Sequence, residues 1–566
     1  MLTHRTIGYK GKDCSLQSVG QFFIYGLIIR LERGEPHMNK IDVNKVVGQL
    51  LVVGFEGKKI TSEIKELIHT FHVGGIILFS RNIGTPSEIL NLTTDLQREA
   101  KMAGYQYPLL ICVDQENGIV RRLGAGTTVF PGAMALGATD DVSNAYNVGY
   151  ATGEELLGLG INWNLAPVVD VNNNPENPVI GVRSFGQSPA KVAQFGKESM
   201  KGMQDAGVVT TLKHFPGHGD TDVDSHLTLP TISHDLQRLE EVELTPFKAC
   251  IAAGADTVMT AHIHFPAIES EAGLPATLSE KVITGLLRQR LHYNGVVTTD
   301  CMEMDAISQT IGTEKGAVSA VKAGADFVMI SHTFERQKGS IKEIVNALES
   351  GEIDMNEILE ANKRIQDLKE KYLDWDNVPF DDVAVPENVG SNEHKELATE
   401  VYQNSTTIVE NNGLLPLNKN NKVLVIYPES SARVRVEDEN NTQLSLGAVV
   451  QKYHPSARIE QLNDVLSGDD MEGMVREAKQ YDAVIVGTTS ISSESNQLQL
   501  IKKLKEMGIP VVVVAMRTPY ALSYFPDIPA YVCTYEFTPT ALEVAGGVIF
   551  GDKEAKGKLP ITIPDQ

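Results

Sequence analysis

Eight short apolar runs, spread through residues 50–330 and separated by longer amphipathic stretches, limit the fold more than any other feature of this chain. They are Leu50–Gly54, Gly75–Phe79, Leu109–Val113, Asn164–Val168, Val208–Leu212, Thr257–Thr260, Gly295–Thr299 and Phe327–Ile330. Between them, Pro86–Met102, Ala190–Ala206, Leu236–Ala253 and Glu280–Leu291 carry helical patterns. Strands joined by helices pair in parallel, because a tight hairpin cannot return the chain in the same direction. Eight such repeats over about 280 residues fit a closed (β/α)8, TIM-like barrel better than an open sheet, which more often stops at about five or six strands.

A barrel of this kind carries its functional groups just beyond the strands, at the C-terminal face. Asp114 follows the third run, Asp170 the fourth, Lys213 and His214 the fifth, His262 the sixth and Asp300 the seventh. One polar residue at a strand end is an ordinary terminator. Ionisable groups at successive ends are harder to dismiss. Beyond the barrel, Ser340–Lys371 reads as amphipathic helix and Asp374–Glu393, polar with two prolines, as a linker. A second α/β unit follows. Lys422–Ile426, Ala483–Gly487, Val511–Ala515 and Tyr531–Thr534 read as strands, with helices at Asp470–Gln480 and Gln497–Met507. The expectation is a smaller three-layer α/β/α sandwich on a mostly parallel sheet. The expected domains are a barrel over 38–373, a linker over 374–394 and a sandwich over 395–566. No glycine-rich phosphate loop follows the run ending at Gly487, so no nucleotide site is indicated.

At 566 residues the chain exceeds one hydrophobic core, in line with this division. Its net charge of -23 argues against nucleic acid or an anionic membrane as the main partner and favours a small or neutral substrate. The five cysteines (Cys14, Cys112, Cys250, Cys301, Cys533) are far apart and form no C-x-x-C pair. They suggest reduced thiols rather than a disulfide framework or a zinc ribbon. The apolar run Phe22–Ile29 is too short to span a bilayer, and Gly26 and the charged residues after it fit a signal peptide poorly. Residues 1–37 are therefore expected to be a non-native extension, with Met38 as the start, and the cytoplasm is the expected location with secretion as the alternative; an intact mass that includes residues 1–37 would refute the first point.

The densest chemistry lies in Lys213–His226, KHFPGHGDTDVDSH. Its prolines and glycines call for a loop. His214 and His218 have the i, i+4 spacing of two metal ligands on a helix, but Pro216, Gly217 and Gly219 disfavour that helix and no Glu follows His214 directly. Structural histidines fit better than a metal site. Asp224 and His226 form a stronger pair, since a carboxylate on one imidazole nitrogen raises the basicity of the other. A turn closed by Asp is the plainer alternative. Asp300, directly at a strand end, offers a carboxylate nucleophile for a retaining glycosidase, with a helix N-cap as its alternative reading. Cys301 beside it reads as packing.

Six longer segments carry a family resemblance. They are VDQENG (Val113–Gly118), FPGAMALGAT (Phe130–Thr139), LAPVVDVNNNPENPVIGVRSFG (Leu165–Gly186), KHFPGHGDTDVDSHLTLP (Lys213–Pro230), MTAHI (Met259–Ile263) and TTDCMEMDAI (Thr298–Ile307). The C-terminal GKLPITIP (Gly557–Pro564) agrees with them. Over about residues 40–566 the chain resembles glycoside hydrolase family 3, in its bacterial β-N-acetylglucosaminidase branch.

The resemblance implies Asp300 as the nucleophile, His226 as the general acid/base and Asp224 as its orienting partner. It implies Asp114, Arg122, Arg183, Lys213 and His214 as sugar contacts, with no cofactor and no metal. The family's Gln-Glu-Gly-Gly is Gln115-Glu116-Asn117-Gly118 here, which bears on the loop shape rather than on Asp114. Arg122, Arg183 and Lys213 are expected to keep Asp300 ionised. The implied activity is release of terminal N-acetylglucosamine from muropeptides in cell-wall recycling. Because an imidazole repels anions less than a carboxylate, a β-N-acetylglucosaminide phosphorylase is the nearby alternative. A catalytically silent sugar-binding protein is the rival from another class, and the intact Asp224, His226 and Asp300 argue against it.

Overall fold

The computed structural model describes residues 42–564 apart from 226–227, 382, 429–436, 438–444, 463–467 and 493. The expected extension 1–37, Met38 and Cys14 lie outside the described residues. The chain divides into Met1–Val43 and a compact unit, Asn44–Gln566, which holds everything described below.

All eight expected strands form, and they close. The strands β1 (Leu51–Val53), β2 (Gly75–Leu78), β3 (Leu110–Val113), β4 (Trp163–Asn164), β5 (Val209–Phe215), β6 (Thr257–Thr260), β7 (Val296–Cys301) and β8 (Phe327–Ile330) run in sequence order around a parallel barrel. Closure is made by β1 against β8, with Val52 opposite Met329. Val52, Ile77, Leu110, Trp163, Val209, Val296 and Phe327 belong to one buried cluster. Ile365 and Leu368 from the helix Met355–Tyr372, with Leu373, join it, so that barrel and final helix share a core. Residues that face inward on parallel strands are fully shielded, which is why these runs are almost wholly apolar.

The helix Pro86–Met102 has the expected bounds and a capping box in which Thr85 and Glu88 satisfy each other's backbone N–H. Leu236–Ala253 and Ser340–Lys371 each divide in two. The first becomes Leu236–Glu241 and Leu244–Ala252, and the second becomes Phe334–Glu349 and Met355–Tyr372, parted by Gly351 at φ 77°. The run Asn164–Val168 yields a strand of only two residues, because Pro167 has no N–H for the ladder; pairing resumes at Val168 opposite Lys213.

The second sheet has six strands in the order β11-β10-β12-β13-β14-β9. Four match expectation: β10 (Val423–Pro428), β12 (Ala483–Thr488), β13 (Val511–Ala515) and β14 (Ala530–Cys533). Two edge strands, β9 (Thr407–Asn411) and β11 (Arg458–Leu462), were not expected. Only β9 is antiparallel. Among the described residues no helix is long and apolar enough to cross a membrane.

Candidate active site

The C-terminal ends of the barrel strands surround a cavity of about 660 Å³. Asp114, Arg122, Arg183, Lys213, His214 and Asp300 all line it. Groups spread over almost two hundred residues of sequence thus meet because each lies in the last residues of a barrel strand or in the segment after it.

The first of them form a charge clamp. The Lys213 ammonium donates to Asp114 Oδ1 at 2.8 Å and lies 2.6 Å from Glu116 Oε1. Arg183 holds Glu116 with two bonds, Nε to Oε2 and Nη2 to Oε1, both at 2.8 Å. Arg122 Nη2 stands 3.7 Å from Asp114 Oδ2. Burial alone would push the Glu116 carboxyl up, but the charges of Arg183 and Lys213 outweigh it and hold it far below the usual range. Burial likewise opposes the Lys213 charge, and Asp114 with Glu116 raises its pKa in spite of that. Arg122, Arg183 and Lys213 were expected to keep Asp300 ionised; the carboxylates that Arg183 and Lys213 bond are Glu116 and Asp114.

Beneath the clamp sits the fully buried Asp170, at the fourth strand end. Its carboxylate accepts from His214 Nδ1 at 2.7 Å and from the His218 backbone N–H at 2.7 Å. A proton on Nδ1 leaves His214 Nε2 as an acceptor, 3.4 Å from Arg183 Nη2. Lys213 and His214 are not on a loop, as the sequence led us to expect. They belong to β5, which continues to Phe215 and shifts register against β6 between Leu212 and Phe215. The barrel keeps these two polar residues in a buried strand because Asp114, Glu116 and Asp170 answer them. The loop begins at Pro216. His218 is its post: Nδ1 is 3.0 Å from Thr221 Oγ1 and Nε2 is 2.9 Å from Ser225 Oγ. Burial, followed by the neighbouring His214, pushes the His218 pKa down to about 4, so the ring is neutral. His214 and His218 thus hydrogen-bond the structure around them.

Ser225 lines the cavity and Asp224, half-buried, precedes it. His226 lies outside the described residues. Asp300 is at the end of β7, half-buried, and its Oδ1 accepts from the Cys301 backbone N–H at 2.7 Å. His262, at the sixth strand end, supports this corner, with Nε2 3.0 Å from Cys301 O and Nδ1 2.9 Å from Thr277 Oγ1. Cys112, Cys250, Cys301 and Cys533 are all free thiols.

Sequence reasoning passed over Glu116, and it placed Asp170 at a strand end without giving it a role. The signal was present, since a Lys and an Arg buried together need carboxylates. Glu437, which also lines the cavity and pairs with Arg517 after β13, had no signal in its own segment.

The glycosyl hydrolase family 3 N-terminal domain matches residues 42–368, and the family's C-terminal domain matches residues 406–566. The chain is 31% identical to Beta-hexosaminidase A of Pseudoalteromonas piscicida, over 92% of this chain and 97% of that one. A solved β-N-acetylglucosaminidase of the family from Paenibacillus sp. str. FPU-7 superposes with a TM-score of 0.86 at 39% identity, covering 93% of this chain and all of its own. A fungal multi-domain β-N-acetylglucosaminidase gives a TM-score of 0.86 at 41% identity, over 92% of this chain and 61% of the longer fungal one. With both halves matched, in order, onto the barrel and the second sheet, the chain belongs to glycoside hydrolase family 3.

Proposed function

We propose that this chain is a retaining, exo-acting β-N-acetylglucosaminidase that releases terminal N-acetylglucosamine from peptidoglycan-derived muropeptides in cell-wall recycling. The observation that carries the reading is the buried clamp in which Glu116 holds Arg183 and Lys213, so that these two cations and Asp114 line the same cavity as Asp300. Sugar hydroxyls both donate and accept, so paired carboxylates and cations suit them. The names of the relatives at 31% and 39% identity support the hexosaminide.

In this reading Asp300 attacks the anomeric carbon while His226, oriented by Asp224, protonates the leaving oxygen. His226 then takes a proton from water, which releases the sugar from Asp300 with retained configuration. The same loop must serve both steps, and Pro216–Gly219 give it its turn. No metal or cofactor enters these steps.

The test uses an aryl N-acetylglucosaminide and purified muropeptides. Asp300→Asn should lower turnover by at least about three orders of magnitude, and undiminished turnover would remove Asp300 as nucleophile. Muropeptides left intact by an enzyme that cleaves the aryl substrate would refute the recycling role. In phosphate buffer the expected product is free N-acetylglucosamine; its 1-phosphate would transfer the reading to a phosphorylase.

A further inference from the structure

A second group of reactive side chains lines the cavity on the wall made by β7 and β8. Cys301 ends β7, Glu303 comes two residues later, and His332 follows β8. One donor atom from each lies within 4.8 Å of the others, and no other such trio of His, Cys, Asp or Glu occurs among the described residues. Sulfur, imidazole nitrogen and carboxylate oxygen are the donor set of zinc and its neighbours, whereas hard cations take oxygen alone.

The trio is held from behind, as metal ligands are. Glu303 accepts from the backbone N–H of His332 at 2.6 Å and of Thr333 at 3.1 Å, where the helix Phe334–Glu349 begins. The His332 ring leans on Phe79, with centroids 5.0 Å apart. The buried Ser331 hydroxyl has no oxygen or nitrogen partner among the described residues and interacts with the Cys301 thiol. Two neighbours oppose a cation, and the first is Arg336, whose Nη1 lies 3.6 Å from Glu303 Oε1. The second, Arg81, donates to Phe55 O at 2.9 Å and to Ser331 O at 2.6 Å, within electrostatic reach of Cys301 and Glu303. A magnesium or calcium ion would meet that positive charge with one carboxylate to offset it. A thiophilic ion gains a metal–thiolate bond as well, so the wall selects for it.

We propose that Cys301, Glu303 and His332 bind a thiophilic divalent cation, zinc foremost, and that the bound cation inhibits the enzyme. On binding, the Cys301 thiol gives its proton to solvent and its sulfur bonds the metal. Glu303 binds as the anion and His332 through a neutral ring nitrogen. Asp300 is the residue before Cys301, so the added positive charge falls beside the carboxylate that must attack and draws on its electron pair. The inhibition rests on the nucleophile reading of Asp300; the binding does not.

Two measurements on the full chain separate these. Cobalt(II) is titrated into the protein and the near-ultraviolet band of thiolate-to-cobalt charge transfer is read. Zinc inhibition is then measured with an aryl N-acetylglucosaminide, followed by reversal with a chelator. A cobalt–thiolate band should form, and Cys301→Ser should abolish it. Both Cys301→Ser and His332→Ala should raise the zinc concentration for half-inhibition by at least about tenfold. Absence of the band in the unaltered protein overturns the site, whatever the activity. A band with no zinc inhibition overturns the inhibitory role alone. Zinc inhibition undiminished in both variants would assign it to another site. If Cys301→Ser does not fold, His332→Ala carries the same comparison.

Discussion

Glu116 ties the clamp together as a single residue. Its side chain is 6% exposed and answers two cations, each at most 2% exposed. Glu116→Gln keeps the shape and removes the charge, leaving Lys213 with Asp114 and Arg183 with only the more distant charges of Asp170 and Asp114. Breaking a buried pair from one side costs about 3–5 kcal/mol, because the other charge stays buried. The urea midpoint should fall accordingly, and kcat/KM with it, since Lys213 and Arg183 lose their orientation. An unchanged midpoint would mean that the pair is not buried as described. The pH dependence has a definite sign. The Glu116 pKa is depressed in the folded protein, so its stabilisation is complete above the ordinary carboxylate pKa of about 4.3 and declines as pH falls below it. The unaltered protein should therefore lose stability on acidification from pH 5 to 3 more steeply than Glu116→Gln.

At the scale of elements, β5 and the loop it feeds form one device. The strand presents Lys213 and His214, and His218 then pins the loop through Thr221 and Ser225. Its folded pKa of about 4 lies below the ordinary value of 6.5. As pH falls through that interval the unfolded chain takes a proton that the folded one refuses, so stability falls. By pH 5 this amounts to about 2 kcal/mol. His218→Gln can keep a loop hydrogen bond and cannot titrate, so its loss of stability between pH 7 and 5 should be smaller by that amount. Loosening of Asp224 and Ser225 should appear as a lower kcat with KM little changed. Equal pH slopes for the two proteins would sink the idea.

The same elements show what the sequence disclosed. Inward-facing strands such as Thr257–Thr260 and Phe327–Ile330 were legible to the residue, because a buried parallel strand leaves an unbroken apolar run. The edge strands β9 and β11 were not, since the exposed Arg458 and the half-buried Glu410 and Glu460 on them break the run. Lys213 and His214 looked like loop because their partners, Asp114, Glu116 and Asp170, lie some forty to one hundred residues away. Asp300, Asp114 and the cavity-lining cations Arg122, Arg183 and Lys213 were singled out from strand ends and family motifs, whereas Glu116, which anchors two of those cations, needed the fold.

On the scale of the whole molecule, the second sheet is joined to the segment that follows β3 by one buried carboxylate. Glu536, just beyond β14, accepts from the Gly132 backbone N–H at 2.9 Å and from the Tyr402 hydroxyl at 3.0 Å. Gly118, at the end of the segment that bears Asp114 and Glu116, packs against Gly132 so closely that a Cβ added there would lie 2.8 Å from its Cα. Ile119 and Val120, with Met134 of the helix Ala133–Ala138, share one apolar cluster with the strands of the second sheet. Glu536 therefore holds the rear of the loop whose front grips the clamp. Burial pushes its pKa up to about 7, against the hydrogen bonds from Gly132 and Tyr402 and the charge of Arg121. Below pH 4.5 it is protonated both folded and unfolded, and the shift costs nothing. Between 4.5 and 7 the unfolded chain releases a proton that the folded one retains, so stability falls as pH rises. From pH 4.5 to 8 the loss is on the order of 3 kcal/mol. Glu536→Gln keeps an acceptor for Gly132 and carries no charge. Relative to the unaltered protein it should gain about 3 kcal/mol over the same range, read from urea unfolding at the two pH values. Its KM for an aryl N-acetylglucosaminide should then rise less between pH 6 and 8, because the contact from the second sheet behind the Asp114 segment no longer includes an ionising group. A constant stability difference across that range would show that Glu536 does not titrate there, and the join between the second sheet and the clamp would be packing alone.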